Sequence, residues 1–304
     1  MDSLQSLKVF VAVAEAESFA AGARALGISA PSATRGVNEL EERLGTRLFA
    51  RTTRAVRLTD IGRTYLEDVR GILEDLESAN DTVSGAIGRP KGMLRLTSPV
   101  EFGRIHVAPV VAAYLDVHPD VTANIMMVDR VVNLVEEGLD IGVRIGQLTT
   151  SGLTAVKVGH VRQVVCGAPE YFAEHGVPQT PADLAEHKIV SASTLTRIDE
   201  WRFGANRDRA VKITPRLIVS SVAAATSLAR SGWGLTRALS YQVGPELISG
   251  ELQTVLEDHE PEQFPIHLVH YEGRRVSTKV RSFLDFARDQ LRKSPVLNQG
   301  MQTR

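Results

Sequence analysis

The chain has a single cysteine, almost no net charge and no long apolar run. One cysteine, Cys166, excludes an intrachain disulfide and is typical of proteins that work in a reducing compartment. Because 35 basic and 36 acidic residues leave a net charge of -1, any nucleic-acid contact must come from a local patch. No segment reaches the ~20 apolar residues that span a bilayer. Asp2, Glu15 and Glu17 flank the short apolar run at 9–14 and argue against a signal peptide, so we expect a cytoplasmic protein.

The sequence also lacks the common catalytic motifs. HExxH, the P-loop, GxSxG and a complete GxGxxG are absent, and Gly232-Trp233-Gly234 indicates a turn that leads into a strand. His267 and His270 would face opposite sides of a strand, so we expect them to share no metal. Cys166 lies in the apolar segment VVCGA and is expected to be a buried, inert thiol. We therefore expect no enzyme activity, no metal and no cofactor.

The most informative stretch begins at Ser18, where two short helices joined by a tight turn are predicted. Ser18 can cap the first helix, and Gly27 can end it in the left-handed conformation that glycine tolerates. Ser29 can cap the second helix, with Pro31 in its first turn, where no intrahelical donor is lost. This spacing of caps and turn predicts a helix-turn-helix.

The second of these helices has one apolar stripe, predicted at Ala33, Val37, Leu40 and Leu44. The residues predicted to point away from the stripe are Ser32, Arg35, Gly36 and Glu39. A capped helix with small, polar and cationic groups on its outer N-terminal half suits a DNA major groove. The DNA-contacting residues expected here are Ser18, Ser29, Ala30, Pro31, Ser32, Thr34 and Arg35.

An arginine-rich hairpin is predicted next, between the strand-like segments LF and VRLT. Its surroundings carry five arginines with no acidic residue among them: Arg43, Arg47, Arg51, Arg54 and Arg57. Guanidinium groups at a hairpin tip suit phosphates and a narrow minor groove. We therefore predict that Arg51, Thr53 and Arg54 contact DNA. The alternative is a solvated basic face on an interaction domain.

A long helix is predicted after Gly62, because no proline occurs before Pro90. Its apolar positions alternate three and four apart as in a heptad repeat, with acidic residues on the other faces. We predict that this seam dimerises the chain, with Asn80 fixing the register. The alternative is a helix packed on its own domain. The seam consists of Leu66, Val69, Leu73, Leu76, Asn80 and Val83.

From Met93 onward, short apolar runs alternate with helical stretches, which predicts an α/β domain with a largely parallel sheet. The predicted strands are MLRLT, TANIMMV, DIGVRI, RQVVCG, KIVSA, RLIVS and PIHLVHY. The predicted helices are PVVAAYLDVHP, VVNLVEEG, PEYFAEHG, SVAAATSLARSG and KVRSFLDFARDQL.

Polar segments lie at the ends of several predicted strands, where ligands bind in open α/β folds. These segments are 97–101, 144–146 and 220–222. Their hydroxyls and backbone N–H groups would suit an anionic or polar small molecule. Arg144 or Arg237 could pair with a carboxylate, whereas an inward Glu101 would repel one. The alternative is that these are capping residues and surface charges.

Together these motifs resemble the LysR-type transcriptional regulators of bacteria. The resemblance extends over about residues 4 to 290, with Ala30 and Thr34 standing where many members carry Gln and Ser. Its second half rests on GMLRLTSPVEFGRIHVAPVVAAYLDVHPDV, LVEEGLDIGVRIGQL and VVCGAPEYFAEHGVP. Its first half rests on Phe10, Ala14-Glu15, Ser18-Phe19, Leu26, Ser29, Pro31, Arg35, Leu40-Glu41, Leu44-Gly45, Leu48-Phe49, Arg51, Arg54, Leu58-Thr59 and Gly62.

The resemblance implies an all-α winged helix-turn-helix at 1–61, a linker and dimerisation helix at 62–89, and an effector-binding domain at 90–304. The third domain would have the α/β fold of the type II periplasmic binding proteins, with two subdomains and a cleft. Their expected bounds are about 92–163 with 265–304, and about 164–264.

The function implied is that of a regulator that binds double-stranded promoter DNA as a dimer or tetramer and responds to a small-molecule effector. RNA polymerase is a further candidate partner, and no membrane partner is expected. A solute-binding protein and an enzyme on the same scaffold are alternatives, disfavoured by the basic head and by the missing motifs. The expected effector-binding residues are Ser98, Pro99, Val100, Glu101, Arg144, Gly146, Ser220, Val222 and Arg237.

Overall fold

The computed structural model describes residues 2–51, 56–83, 89–148, 152–193, 199–271 and 276–297. The chain divides into two compact units, 1–88 and 89–304. Within the described ranges no helix combines the length and the apolar character needed to cross a membrane. The predicted DNA contacts Thr53 and Arg54 lie outside the described residues, as do the side chains of Arg51, Asn80 and Val83.

The first unit, called the head below, contains helices and one antiparallel pair of strands. In that pair Phe49 lies opposite Leu58 and Arg51 opposite Val56. The elements are α1 Ser3–Ala16, α2 Phe19–Ala25, α3 Ala30–Leu44, β1 Phe49–Arg51, β2 Val56–Leu58 and α4 Asp60–Val83.

Local side-chain chemistry fixes the ends of these helices, and the predicted caps are confirmed. The Ser18 hydroxyl accepts a hydrogen bond from the Ala21 N–H at 3.3 Å, and the Ser29 hydroxyl accepts one from the Ser32 N–H at 3.2 Å. Gly27 adopts φ 65°, in the left-handed region, at the turn between α2 and α3. The helix-turn-helix is thus set by residues within a few positions of each boundary.

The core of the head is built around Phe10, which is fully buried. Its ring lies 5.5 Å from that of Phe49 and 5.5 Å from that of Tyr65. These rings join α1 to β1 and α4. The other buried apolar side chains of this core are Val9, Val13, Ala23, Ala33, Val37, Leu40, Leu48, Leu66 and Val69.

Two predictions about the faces of α3 were wrong. Leu44 is 40% exposed, because it lies in the last turn, where the helix leaves the core. Gly36 is buried, since it follows Ala33 by three residues and precedes Leu40 by four and so shares their face. The buried residues of α3 are therefore Ala33, Gly36, Val37, Leu40 and Glu41.

The second unit is α/β throughout its described residues. Its strands are β3 Gly92–Ser98, β4 Val121–Met127, β5 Ile141–Ile145, β6 Leu153–Val161, β7 Gln163–Gly167, β8 Val190–Ala192, β9 Glu200–Phe203, β10 Arg209–Lys212, β11 Leu217–Val219, β12 Thr236–Leu239, β13 Gln253–Val255 and β14 Phe264–Tyr271. Its α-helices are α5 Val100–Phe102, α6 Ala108–Val117, α7 Pro169–His175, α8 Val222–Arg230, α9 Gly244–Ser249 and α10 Thr278–Arg292.

The main sheet of this unit has the strand order β4-β3-β5-β14-β6. β3 runs parallel to β4 and to β5, whereas β14 runs antiparallel to β5 and to β6. A second sheet, of order β12-β7-β13, is antiparallel throughout. The expectation of a largely parallel sheet was therefore wrong, because β14 enters the main sheet from the far end of the chain.

Smaller pairs complete the second unit. β8 and β11 are parallel, and β9 and β10 form an antiparallel hairpin. The helices α6 and α10 cover the main sheet, with Tyr114 of α6 packed edge-on to Phe283 of α10 at 5.1 Å. α8 covers the second sheet, where Ala225 and Ala229 are buried beside Cys166.

One predicted helix is not formed. The segment VVNLVEEG at 131–138 is a series of turns. The Asn133 side chain accepts a hydrogen bond from the Val135 N–H at 3.1 Å, which offers the backbone an alternative to a helix. Val131 is 84% exposed and Val135 is 57% exposed, whereas Val132 and Leu134 are buried, so burial alternates from residue to residue and does not follow a helical face.

Candidate functional site

The N-terminal end of α3 presents a small polar surface. Ser29 caps the helix, and its hydroxyl lies 2.8 Å from that of Ser32. Thr34 turns its hydroxyl back to the Ala30 carbonyl oxygen at 3.0 Å. Arg35 is exposed and has no ion pair or hydrogen bond with any described residue. A guanidinium beside two serine hydroxyls is thus free to meet an anion or a base edge.

Three further residues at α2 and α3 were predicted to contact DNA: Pro31, Ala30 and Ser18. Pro31 is exposed in the first turn of α3, and Ala30 is half-buried beside it. Ser18 is half-buried at the start of α2, where its hydroxyl is used as the cap. The structure therefore gathers Ser29, Pro31 and Arg35 at one end of α3 and places Ser18 at the end of α2.

The predicted group of five arginines is not a uniform basic face. Arg47 pairs with the carboxylate of Glu41 at 2.8 Å, and Arg43 donates to the Ser3 hydroxyl at 2.6 Å. Arg57 is exposed on β2. Among the described side chains of this group, the arginine without an ion pair or hydrogen bond is Arg57, and Arg35 of α3 adds a second unpaired guanidinium.

Glu41 is a residue whose role the sequence analysis missed. Its side chain is only 3% exposed, although it is a carboxylate. It accepts hydrogen bonds from the backbone N–H groups of Leu48 and Phe49 at 2.8 and 3.0 Å. The signal available in the sequence is its position beside Leu40 on the buried side of an amphipathic helix.

The predicted seam of α4 is divided between two environments. Leu66 and Val69 are buried in the core of the head, and Leu73 packs partly against that core. Arg70 of the same helix pairs with Glu15 of α1 at 2.8 Å. The first half of the seam thus packs on its own domain, as the alternative reading held. Leu76, in contrast, is 37% exposed.

In the second unit, the carboxyl ends of β3 and β5 lie on the same edge of the main sheet, because these strands are parallel neighbours. Ser98 ends β3 and is buried, with its hydroxyl 3.2 Å from the Pro99 carbonyl oxygen. Val100 opens the following helix and is 38% exposed. Its N–H donates to the Asp129 carboxylate at 3.0 Å. Glu101 pairs with Arg104 at 2.7 Å.

The end of β5 and the residue that follows it share this edge. Arg144 is half-buried and donates to the carbonyl oxygen of Val132 at 2.7 Å, and its burial lowers the pKa of the guanidinium. Gly146 adopts φ 114°, which L side chains rarely adopt. A Cβ added at Gly146 would meet no atom within 4 Å, so the space beside it is open.

The other predicted effector residues follow β11, open α8 and lie on β12. Ser220 is exposed, whereas Val222 is 9% exposed and packs beside Ala225. Arg237 on β12 is only 6% exposed, with its guanidinium 5.0 Å from the centre of the Phe203 ring, and it donates to the Arg202 carbonyl oxygen. This burial lowers the pKa of Arg237 to about 9. The Arg237 guanidinium is therefore buried and has its contacts within the second unit.

A ring cluster beside the main sheet was not foreseen. A π-helical turn at Gly103–Val107 joins α5 to α6 and carries His106. The imidazole lies 4.8 Å from the Phe102 ring and 5.5 Å from the Tyr241 ring. Burial lowers the pKa of His106 to about 4, so this histidine is neutral at physiological pH. No group of three or more His, Cys, Asp or Glu side chains within the described ranges is arranged to hold a metal ion.

Comparison with known proteins relates both units to a single family. Residues 4–63 match the family described as bacterial regulatory helix-turn-helix protein, lysR family. Residues 88–292 match the family described as LysR substrate binding domain. These two matches cover residues 4–63 of the head and most of the second unit.

Individual relatives align with this chain over nearly its whole length. PtxR, an HTH-type transcriptional regulator of Pseudomonas aeruginosa, is 33% identical over 296 residues, which cover 96% of this chain and 94% of PtxR. CrgA, an HTH-type transcriptional regulator of Neisseria meningitidis serogroup B, is 30% identical over 288 residues, or 94% of this chain and 96% of CrgA. A solved structure of CrgA from Neisseria meningitidis superimposes with a TM-score of 0.61 at 30% identity, covering 96% of this chain and 99% of that one.

These matches join the capped helix pair of the head to a substrate-binding α/β unit in one polypeptide. The chain belongs to the LysR family of HTH-type transcriptional regulators, which bind DNA through the N-terminal unit and respond to effectors through the second.

Proposed function

We propose that α3 enters the DNA major groove with its N-terminal end and that the β1–β2 hairpin is the wing of a winged helix-turn-helix. The observation that carries the proposal is Arg35, which is exposed and unpaired among the described residues, beside the Ser29 cap. The residues proposed to contact bases and phosphates from the helices are Ser18, Ser29, Ala30, Pro31, Ser32, Thr34 and Arg35. From the hairpin, Arg51, Thr53 and Arg54 are proposed to join them.

Binding of DNA from upstream of the gene that encodes this chain tests the role of Arg35. If the guanidinium reads a guanine edge, Arg35→Ala costs about 1 to 3 kcal/mol of specific binding. Arg35→Lys is the matched control, because it keeps the charge and loses the bidentate geometry. The lysine variant should keep the salt dependence and lose sequence discrimination. Unchanged affinity and discrimination in Arg35→Ala would remove the assignment.

The wing is tested by the salt dependence of binding. Replacing Arg51 or Arg54 with alanine should weaken binding to all sequences alike and lower the slope of log K against log salt by about one unit. Arg209→Ala, at an exposed arginine of the second unit, should leave the slope unchanged. An unchanged slope in the Arg51 and Arg54 variants would mean that neither residue contacts a phosphate.

For the second unit we propose the type II periplasmic-binding-protein fold, with an anionic or polar effector bound in a cleft between its two subdomains. Support comes from the shared sheet edge that carries Ser98 and Gly146, and from the match to a substrate-binding family. The residues proposed to line the cleft are Ser98, Pro99, Val100, Glu101, Arg144, Gly146, Ser220, Val222 and Arg237. Screening small carboxylates and polyols for a rise in Tm identifies the effector, and a hit with no effect on DNA binding would favour a solute-binding role.

We further propose that the chain dimerises through α4 and forms a tetramer through the second unit. Because Leu66 and Val69 are buried in the head, the part of the seam that meets a partner helix begins at Leu73. We propose that RNA polymerase contacts the assembled regulator at the promoter, in the cytoplasm.

A further inference from the structure

Among the acidic side chains of the head that the structure describes, Glu41 is the most deeply buried. It occupies the inner side of α3, and acidic side chains are rarely this buried unless they are paired. One carboxylate oxygen accepts both N–H groups of the turn, from Leu48 at 2.8 Å and Phe49 at 3.0 Å. The other accepts from Arg47 at 2.8 Å. Glu41 therefore ties the start of β1 to the last turn of α3.

The same turn is tied on its other side to α4. The carbonyl oxygen of Leu48 accepts hydrogen bonds from the Thr59 N–H at 2.9 Å and the Thr59 hydroxyl at 3.3 Å. The Thr59 hydroxyl also accepts from the Gly62 N–H at 2.9 Å, which caps α4. Leu48 is thus bonded to α3 through its N–H and, through its carbonyl oxygen, to Thr59, the residue that caps α4.

Arg47 is the charged partner of Glu41. Its side chain is 73% exposed, yet its guanidinium is paired with Glu41. A paired guanidinium contributes less than an unpaired one to the release of counterions from DNA. The ion pair therefore lowers the charge of the turn beside the hairpin without burying the arginine.

We propose that Glu41 is a positioning residue for DNA binding, which sets the β1–β2 hairpin against α3 and keeps Arg47 from DNA phosphates. The inference rests on the proposed function, because it requires that α3 and the hairpin contact one duplex. With the hairpin held against α3, Arg35 and the hairpin arginines can contact the same DNA duplex at the same time. Without Glu41, two buried N–H groups lose their acceptor and the hairpin loses its link to α3.

Three variants of the full-length chain test the proposal: Glu41→Gln, Glu41→Ala and Arg47→Ala. The glutamine keeps an oxygen that can accept from Leu48 and Phe49 but removes the charge that pairs with Arg47. The alanine removes both functions. Affinity for the specific site, affinity for random duplex DNA and the salt slope are measured for each variant, with Tm as the check on folding.

Each variant has its own expected result. Glu41→Ala should bind the specific site about tenfold or more weakly while random DNA is still bound, because the hairpin loses its hydrogen bonds to α3. Glu41→Gln should recover the specific binding, and its salt slope should steepen by about one unit because Arg47 is released. Arg47→Ala should leave the slope unchanged.

Two results would overturn the proposal. One is a folded Glu41→Ala that discriminates sequences as the unaltered protein does. The other is an Arg47→Ala whose slope falls by about one unit, since Arg47 would then be a phosphate contact. If Glu41→Ala does not fold, the slopes of Glu41→Gln and Arg47→Ala decide the question. Arg35→Ala, measured in parallel, separates the two ideas: no effect there removes the proposed function itself.

Discussion

A Cβ placed on Gly62 would stand 2.1 Å from the carbonyl oxygen of Leu48. Real Cβ contacts are essentially never under 3.0 Å, so the first turn of α4 touches the turn before β1 backbone to backbone. The same carbonyl oxygen accepts the hydrogen bonds of Thr59. Glycine at position 62 is thus what lets α4 begin where the hairpin ends.

Gly62→Ala should destabilise the head by about 2 kcal/mol or more, because backbone must move to relieve the clash. Gly71→Ala is the matched control on the same helix, since a Cβ there meets nothing within 4 Å. That variant should be more stable by about 0.5 to 1 kcal/mol, as alanine favours the helix. Thermal unfolding of the two variants measures the difference. Equal Tm values would show that the turn before β1 moves away from the added Cβ without loss of stability.

Leu76→Asp should separate dimers, because it places an unpaired charge in the proposed seam. Leu76 suits the test, since it is 37% exposed in a single chain and its replacement leaves the core of the head intact. Ile61→Asp, at a residue of α4 that is 58% exposed, is the control. Sedimentation velocity reads the assembly state. A Leu76→Asp protein that remains dimeric would move the interface elsewhere, and a wild-type dimer at all concentrations would remove only the tetramer.

Val100→Trp should abolish the response to effector while basal DNA binding survives. Val100 is 38% exposed at the sheet edge proposed for the cleft, and a bulky ring there would fill it. Val177→Trp is the control, at a valine that is 42% exposed. Ligand and DNA are expected to be coupled by about 1 to 3 kcal/mol, reciprocally. The measurement is DNA affinity with and without the effector found by thermal shift. A normal response in Val100→Trp would place the cleft elsewhere.

His106 should make the second unit sensitive to acid. Its folded pKa of about 4 lies below the usual 6.5, so between these values the unfolded chain binds more protons. The free energy of unfolding should therefore fall as the pH falls from about 6.5 toward 4. At pH 5 this histidine alone should account for about 2 kcal/mol.

His106→Phe should remove that part of the pH dependence, because it keeps a ring against Phe102 and Tyr241 and cannot take a proton. Denaturant unfolding of both proteins at pH 5 and pH 7.5 checks this, and groups that both proteins share cancel in the difference. An identical pH dependence in the variant would show that His106 is protonated without cost.

Features set by local chemistry could be predicted from the sequence. The caps at Ser18 and Ser29 and the left-handed Gly27 depend on neighbours within a few residues, and all three are confirmed. The seven predicted strands of the second unit are also present. Their apolar runs are bounded by turn residues, which is a signal that the chain carries locally.

Features that depend on distant partners could not be predicted. β6 was missed because, among the described strands, it pairs with β14 alone, and β14 lies far along the chain. From the sequence, Arg144 and Arg237 were predicted to be available to pair with a carboxylate. In the structure, they donate hydrogen bonds to the carbonyl oxygens of Val132 and Arg202. The hydrogen-bond partners of such side chains depend on tertiary contacts, which a local sequence pattern does not indicate. The assignment of these arginines to an effector remains a prediction.

The position of β14 in the main sheet has a consequence for synthesis on the ribosome. The strands of the second sheet all lie between residues 163 and 255, so that sheet has every strand it needs while the chain is still growing. The main sheet must wait, with β5 and β6 lacking the strand between them, until residue 271 has emerged. Strand edges left unpaired for that interval invite pairing with other chains. A nascent chain stalled before Phe264 should therefore bind holdase chaperones more strongly than a chain that includes β14, which a pull-down of the two stalled chains measures.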